Sequence, residues 1–246
     1  MKYNKILIGL FFVLGVDTFS PSELLSKNVN VHVFGDSHAN YLFKNNISSM
    51  HPISFVFNGV NALVTINWMG ARTMHGIGIE GLKRLNLKNF NVLEGETAVF
   101  VFGEIDIRWH VIKQQKKKNR SLQNILQTLV QNYIDVINQN RAQYKRINCV
   151  IVSIVPPRFE ATKDLEANRS QPPTYGSLKE RINATKQLNS MLNKACALNN
   201  IKFLDIYNIY SKDDGSLNPA LSDNDVHVGT SHNTPVKEKL TALLVE

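Results

Sequence analysis

The sequence predicts an α/β domain whose sheet is mostly parallel. Stretches rich in β-branched and aromatic residues alternate along the chain with segments whose apolar residues recur at helical intervals. One run, 97–102, reads TAVFVF without a polar break, which is typical of a strand covered on both faces. Polar or glycine-bearing stretches follow several of these strands, where parallel sheets place their ligand-binding loops.

The first predicted strand, 29–34, ends abruptly at Gly35-Asp36-Ser37, and a helix-compatible segment follows over 38–45. A serine in such a strand–turn–helix can present its Oγ at the mouth of the sheet. The N-terminus of the following helix also favours developing negative charge. Helix capping by Asp36 or Ser37 explains this stretch equally well, so other parts of the chain must decide between the two readings.

The remaining elements complete a predicted sheet of five strands. Further strands are expected over 52–57 (before Asn58-Gly59), 97–102, 147–155 and 202–207. Helical spacing is seen over 79–85, 121–141, 177–198 and 235–244. The polar, proline-bearing segment 158–176 is predicted to be a surface loop near the substrate.

The net charge of +8 comes partly from one basic run, 113–120. Such a run is usually a solvated loop, and the alternative is contact with phosphate, anionic glycans or lipid headgroups. No zinc-ligand spacing, phosphate-binding loop or RNA-binding aromatic motif accompanies it, so we expect no nucleic-acid partner, metal or cofactor. The two cysteines, Cys149 and Cys196, are predicted to be buried free thiols.

Residues 1–20 have the pattern of a signal peptide. Lys2 and Lys5 precede an apolar run over 6–16 that is too short to span a bilayer, and 13–15 is a passable cleavage site. The alternative is a buried N-terminal element of the mature fold, as in a cytoplasmic protein. We expect a secreted or periplasmic protein with its folded domain over 29–246, and only transient membrane contact through the N-terminal segment.

Four blocks of residues resemble the SGNH (GDSL-like) hydrolases. They span about residues 30 to 232 and are Gly35-Asp36-Ser37-His38, Gly70, Gly103-x-x-Asp106 and Asp223-Asn-Asp-Val-His227. The most similar branch of the family carries Gly-x-Arg-Thr and Gly-Glu-Ile-Asp-x-Arg motifs, found here at 70–73 and 103–108. The resemblance implies a three-layer α/β/α sandwich, flavodoxin-like, with strand order 2-1-3-4-5.

The resemblance also implies a serine–histidine–aspartate triad. Ser37 would attack an ester carbonyl, and His227 would take its proton and return it to the leaving alcohol. The acid of the family usually lies three residues before the histidine, where this chain has Asn224. Asp223, four residues before, is the first candidate, and Asp225, two before, is the second.

The family's oxyanion hole is matched only in part. The resemblance implies donors from the Ser37 backbone N–H, from Gly70 and from a third-block asparagine, but Ile105 stands at the asparagine position. Losing one such donor costs about 2.7–4 kcal/mol of transition-state stabilisation. Arg72 or Arg108 would be a charge-assisted replacement. Glu104 and Asp106 are further candidates for this part of the site, although pairing of Asp106 with Arg108, or a backbone cap, is favoured over a carboxylate pair.

The predicted function is a serine esterase that removes an acyl group from a small-molecule or glycan ester. The family's range, and no particular residue, suggests acetyl on a glycan. Trp68 and Trp109 would line a sugar pocket or pack in the core, and the His38 side chain is expected to point away from the nucleophile. The alternatives are an acyltransferase using the same Ser37–His227 pair and a non-catalytic binding domain.

Overall fold

The computed structural model describes residues 27–48, 51–158 and 174–245. Its centre is a six-stranded sheet with the order β2-β3-β1-β4-β5-β6. The strands are β1 (Lys27–Gly35), β2 (Ile53–Phe57), β3 (Val60–Trp68), β4 (Thr97–Val101), β5 (Asn148–Val152) and β6 (Lys202–Leu204). Every neighbouring pair is parallel except β2 and β3, which are antiparallel.

Helices cover both faces of this sheet. They are α1 (Ser37–Phe43), α2 (Met74–Glu80), α3 (Ile112–Lys118), α4 (Leu122–Arg141), α5 (Leu178–Leu198), α6 (Tyr207–Tyr210) and α7 (Thr234–Val245). A π-helix (Asp106–Val111) precedes α3, and short 3₁₀ helices occupy Gly81–Lys83, Leu87–Phe90, Pro219–Leu221 and Thr230–His232. Side chains of α2, α3, α4 and α5 share one buried core, and those of α1, α6 and α7 share the other.

Successive side chains along each strand point to opposite faces of the sheet, and this alternation separates the two cores. In β4, Ala98 and Phe100 face the α4 side while Val99 and Val101 face the α1 side, and all four are at most 5% exposed. The unbroken apolar run is therefore explained by burial on both faces. The predicted three-layer α/β class is confirmed.

The predicted count of five strands is wrong, because Asn58-Gly59 is the turn of a β-hairpin. Asn58 and Gly59 have φ values of 50° and 71°, which is the left-handed geometry that tight two-residue hairpins require. The second predicted strand is thus the antiparallel edge strand β2, and β3 is the strand that pairs with β1. The five mutually parallel strands, taken alone, keep the predicted order 2-1-3-4-5.

The basic run 113–120 is mostly helical, so its prediction as a loop is wrong. It continues the π-helix as α3, which Ile112 anchors in the core while Lys116, Lys117 and Lys118 remain exposed. Solvation of these lysines agrees with the prediction, and Lys116 Nζ pairs with Glu180 at 2.9 Å.

Cys149 and Cys196 are free and buried, as predicted. The predicted signal peptide over 1–20 and most of the predicted loop over 158–176 lie outside the described residues. Among the helices of the described ranges, none has the length and apolar character that a membrane span requires.

Candidate active site

The turn after β1 presents Ser37 at the carboxyl end of the sheet. Asp36 caps α1, since its Oδ1 accepts the His38 backbone N–H at 2.9 Å, and Ser37 is the first helical residue. The turn is tight because Gly35 lies against β4, where an added Cβ would be 2.6 Å from the Val101 carbonyl oxygen. Asp36 is thus the cap, and the Ser37 hydroxyl is available for another partner.

That partner is His227. Its Nε2 lies 2.8 Å from Ser37 Oγ, across 190 positions of the sequence, and its Nδ1 lies 2.9 Å from Asp223 Oδ2. The ring is 5% exposed. A bridge between Ser222 and Val228 closes the short loop that carries both the histidine and the acid. Three side chains from the two ends of the chain therefore form one continuous hydrogen-bond chain.

Backbone geometry allows an acid four residues before the histidine to reach it. Asn224 has a φ of 69°, and the turn it makes brings Asp223 back over the loop. Asp223 Oδ1 accepts the backbone N–H groups of Asp225 at 2.8 Å and His227 at 3.2 Å, which fixes the carboxylate. The second candidate, Asp225, instead pairs through Oδ1 with Arg158 at 2.7 Å.

The pKa shifts of His227 and Asp223 agree with the geometry of their hydrogen bond. Burial lowers the pKa of His227 and the neighbouring His38 adds to this effect, although hydrogen bonding to Asp223 opposes it. Burial would raise the pKa of Asp223, but hydrogen bonds and attraction from His227 outweigh it and hold this pKa below its usual value. At neutral pH the pair therefore consists of an uncharged imidazole and a carboxylate.

Two rings of α1 that the sequence analysis did not place in the site contact His227. The Tyr41 ring stacks on it with 4.0 Å between centroids and 3° between planes. Tyr41 lies four residues after Ser37, and this spacing, which puts both on one helix face, was the available signal. The His38 ring was expected to point away, yet its centroid is 4.6 Å from that of His227.

The third block divides into an ion pair and a helix cap. Glu104 Oε1 accepts from Arg108 Nε at 2.7 Å, so Glu104 takes the arginine that the sequence analysis offered to Asp106. Asp106 is the backbone cap: its two oxygens accept the N–H groups of Met74 at 2.7 Å and His75 at 3.1 Å. Burial raises the pKa of Asp106 to about 7 despite these bonds.

The remaining predicted site residues differ in exposure. Gly70 follows β3 with a φ of +72°, a conformation that favours glycine, and an added Cβ would meet nothing within 4 Å. Arg72 is exposed, whereas Arg108 is 8% and Ile105 is 7% exposed. In the described part of the chain, no three histidine, cysteine, aspartate or glutamate side chains are grouped closely enough to hold a metal ion.

No family model matches the sequence, and no curated protein matches it. Solved structures share its fold. A proposed acylhydrolase from Bacteroides fragilis is 17% identical, with 90% of each chain covered and a TM-score of 0.53. An acetyl xylan esterase is 13% identical over 88% of this chain and 100% of its own, with a TM-score of 0.52. A proposed lipolytic protein of the G-D-S-L family from Desulfitobacterium hafniense is 12% identical over 88% and 99%, with a TM-score of 0.50. The chain therefore has the SGNH (GDSL-like) hydrolase fold.

Proposed function

We propose that this protein is a serine hydrolase that cleaves acyl esters, with Ser37 as nucleophile, His227 as general base and Asp223 as the acid that orients it. The observation that carries this proposal is the hydrogen-bond chain from Ser37 Oγ to His227 Nε2 at 2.8 Å and from His227 Nδ1 to Asp223 Oδ2 at 2.9 Å. Such an arrangement activates a hydroxyl that is otherwise a weak nucleophile.

The reaction follows from the position of each proton. Asp223 accepts the Nδ1–H of His227, so Nε2 is free to take the hydroxyl proton as Ser37 Oγ bonds to the ester carbonyl carbon. The tetrahedral intermediate then breaks its bond to the alcohol oxygen, and Nε2–H protonates that oxygen. Water attacks the acyl-enzyme in the same way, its proton passes through His227 to Ser37 Oγ, and the carboxylic acid leaves.

The oxyanion would be held by the backbone N–H groups of Ser37 and Gly70, with Arg108 in place of the missing asparagine side chain. Arg108 is favoured over Arg72 because it is nearly buried and its guanidinium is fixed by Glu104. A charged donor in a water-excluded site stabilises developing charge more strongly than an exposed, solvent-screened one.

An acetylated glycan is the substrate class we propose. Trp68 ends β3 two residues before Gly70 and is 65% exposed, which offers an aromatic surface beside the proposed oxyanion hole. One structure with this fold is an acetyl xylan esterase. If a sugar acceptor replaces water, the same site is that of an acyltransferase, which is the second candidate. The third candidate is a domain that binds without catalysis, and the observation that favours it is Ile105 at the position of the family's oxyanion-hole asparagine.

The test compares wild type, Ser37→Ala and, as a matched control, Ser231→Ala, which alters an exposed serine in the 3₁₀ helix Thr230–His232, four residues after His227. Each is treated with a fluorophosphonate probe and with p-nitrophenyl acetate. Wild type and Ser231→Ala should be labelled and should release nitrophenol, whereas Ser37→Ala should do neither at an unchanged melting temperature. An unlabelled wild type, or labelling retained in Ser37→Ala, would reject the proposal.

Acetylated xylo-oligosaccharide then separates the three candidates. Free acetate identifies an esterase, and acetyl transferred to an added unacetylated sugar identifies a transferase. Binding of equal strength to wild type and Ser37→Ala, with neither product formed, identifies a binding domain.

Export is a separate proposal that rests on residues 1–20. Lys2, Lys5 and the apolar run 6–16 support a signal peptide and a secreted or periplasmic location. Intact-mass analysis of the protein from its native host should show cleavage after about residue 15. A mass that includes all of 1–20 would contradict export by this route.

A further inference from the structure

A small cavity of about 10 Å³ lies behind the nucleophile turn. Asp36, His38 and Glu104 line it, together with apolar residues at the ends of β4 and β5 such as Val101 and Val152. Asp36 is 1% and His38 is 3% exposed, and the Glu104 side chain is 12% exposed. Buried charged groups are stable only when opposite charges are paired. Because little solvent screens these groups, their charges act strongly on neighbouring residues.

Glu104 lies between the Arg108 guanidinium and the His38 imidazole in this cluster. Its Oε1 accepts from Arg108 Nε at 2.7 Å, and its Oε2 is 3.5 Å from His38 Nε2. Burial would raise the pKa of Glu104, but His38 and Arg108 outweigh it and hold this pKa at about 2. Burial would lower the pKa of His38, but Glu104 and Asp36 outweigh it and raise this pKa above its usual value. The geometry thus places a buried imidazole beside a carboxylate, and this arrangement favours the protonated form of His38.

We propose that His38 and Glu104 form a second imidazole–carboxylate pair that positions His227 and holds a positive charge beside it, so that His227 remains an uncharged base in mildly acidic solution. The contact is direct, since the two ring centroids are 4.6 Å apart and the planes are tilted by 49°. The proposal rests on the proposed hydrolase function, in which His227 must accept the proton of Ser37.

The groups that face the two rings determine the direction of the effect. Asp36, Glu104 and Arg108 act on the charge of His38, and Asp223, Glu104 and His38 act on that of His227. Tyr41 stacks on His227 as a neutral ring. Of the groups acting on His227, His38 is the cation, and like charge so close disfavours protonation of His227. Removing the His38 charge should therefore make His227 easier to protonate.

The test uses His38→Asn, which keeps a polar side chain and removes the charge. His32→Asn is the matched control, because His32 also forms a pair with a glutamate, Glu96, at 2.9 Å, but beside the first residues of β4 and not at the carboxyl end of the sheet. The readout is the pH profile of the second-order rate of fluorophosphonate labelling. The acid limb of His38→Asn should move to higher pH by about one unit, and that of His32→Asn should coincide with wild type.

A folded His38→Asn whose acid limb coincides with wild type would overturn the proposal. Should that variant fail to fold, nitrogen NMR of the wild-type imidazoles decides the question: His38 should stay protonated above the pH at which His227 titrates, and the reverse order would overturn it. This NMR order does not depend on turnover. A wild type that is never labelled but shows the expected order would reject the hydrolase function and leave the charged pair standing.

Discussion

Replacing Asp223 with asparagine should remove nearly all turnover, and the hydrogen bonds around this residue explain why. Asp223 Oδ1 accepts two backbone N–H groups, those of Asp225 and His227, so an asparagine would keep its amide oxygen on that side. Its NH₂ group would then face His227 Nδ1, which must become an acceptor. The ring proton moves to Nε2, where it blocks transfer from Ser37.

The expected loss follows from this change of tautomer. An orienting acid of this kind is worth about 10⁴ in kcat, which corresponds to about 5.4 kcal/mol of activation free energy. Asp225→Asn weakens the pair with Arg158, whose side chains are 14% (Arg158) and 36% (Asp225) exposed. Partly exposed pairs contribute about 0.2–1 kcal/mol, so its kcat should fall less than about fivefold.

Initial rates with p-nitrophenyl acetate at pH 8 measure both variants, and thermal melts confirm that each is folded. The reverse ranking would assign the orienting role to Asp225. Two small and equal losses would show that neither acid orients His227, and our account of this loop would then be wrong.

Three further outcomes are expected. Arg108→Lys keeps the charge but loses the planar fork that binds Glu104, so kcat should fall at least about tenfold; an unchanged kcat would remove Arg108 from the oxyanion hole. Tyr41→Leu loses the stack on His227, worth about 0.5–1.5 kcal/mol, and should lower kcat about 2- to 12-fold. Tyr41→Phe keeps the stack but loses the hydroxyl that hydrogen-bonds to Asp223, so its kcat should fall less than that of Tyr41→Leu. The native pKa of Asp106, about 7, exceeds its usual 3.8, so native protein binds this proton more tightly than unfolded chain. The contribution of protonated Asp106 to the free energy of unfolding is therefore complete below about pH 4 and is lost as the pH rises through 7. Over that range the free energy of unfolding falls by at most about 1.4 kcal/mol per pH unit. Urea melts from pH 4 to 8 should show the free energy of unfolding of wild type falling relative to Asp106→Asn, and parallel curves would contradict the raised pKa.

Most of the fold could be predicted because local pattern and tertiary environment agree. The run TAVFVF became the doubly covered strand β4, and the apolar spacing over 121–141 became α4. The hairpin was missed because β3 has polar residues at alternate positions, such as Asn61 and Asn67, and lacks a continuous apolar run. The Asn58-Gly59 pair carried the missing information, since both residues readily adopt positive φ.

For the site, the sequence motifs predicted the serine, the histidine and the preferred acid, which the structure brings together. They did not predict that Glu104 would bind Arg108, because the alternative partner, Asp106, is nearer to Arg108 in sequence. Tertiary contact between α2 and the π-helix decided it, since the first N–H groups of α2 occupy Asp106. The His38 contact was likewise invisible, because it depends on a loop almost two hundred residues away.

The 190-residue separation of Ser37 and His227 also sets an order of events during synthesis. Ser37, the proposed nucleophile, leaves the ribosome first, and at about 5–20 residues per second His227, its proposed base, follows about 10–40 seconds later. During that interval Ser37 is an ordinary alcohol, unreactive toward esters. In refolding experiments, likewise, recovery of activity would report the docking of the loop that carries His227 onto the turn after β1 that carries Ser37. It would not report the earlier formation of helices or sheet.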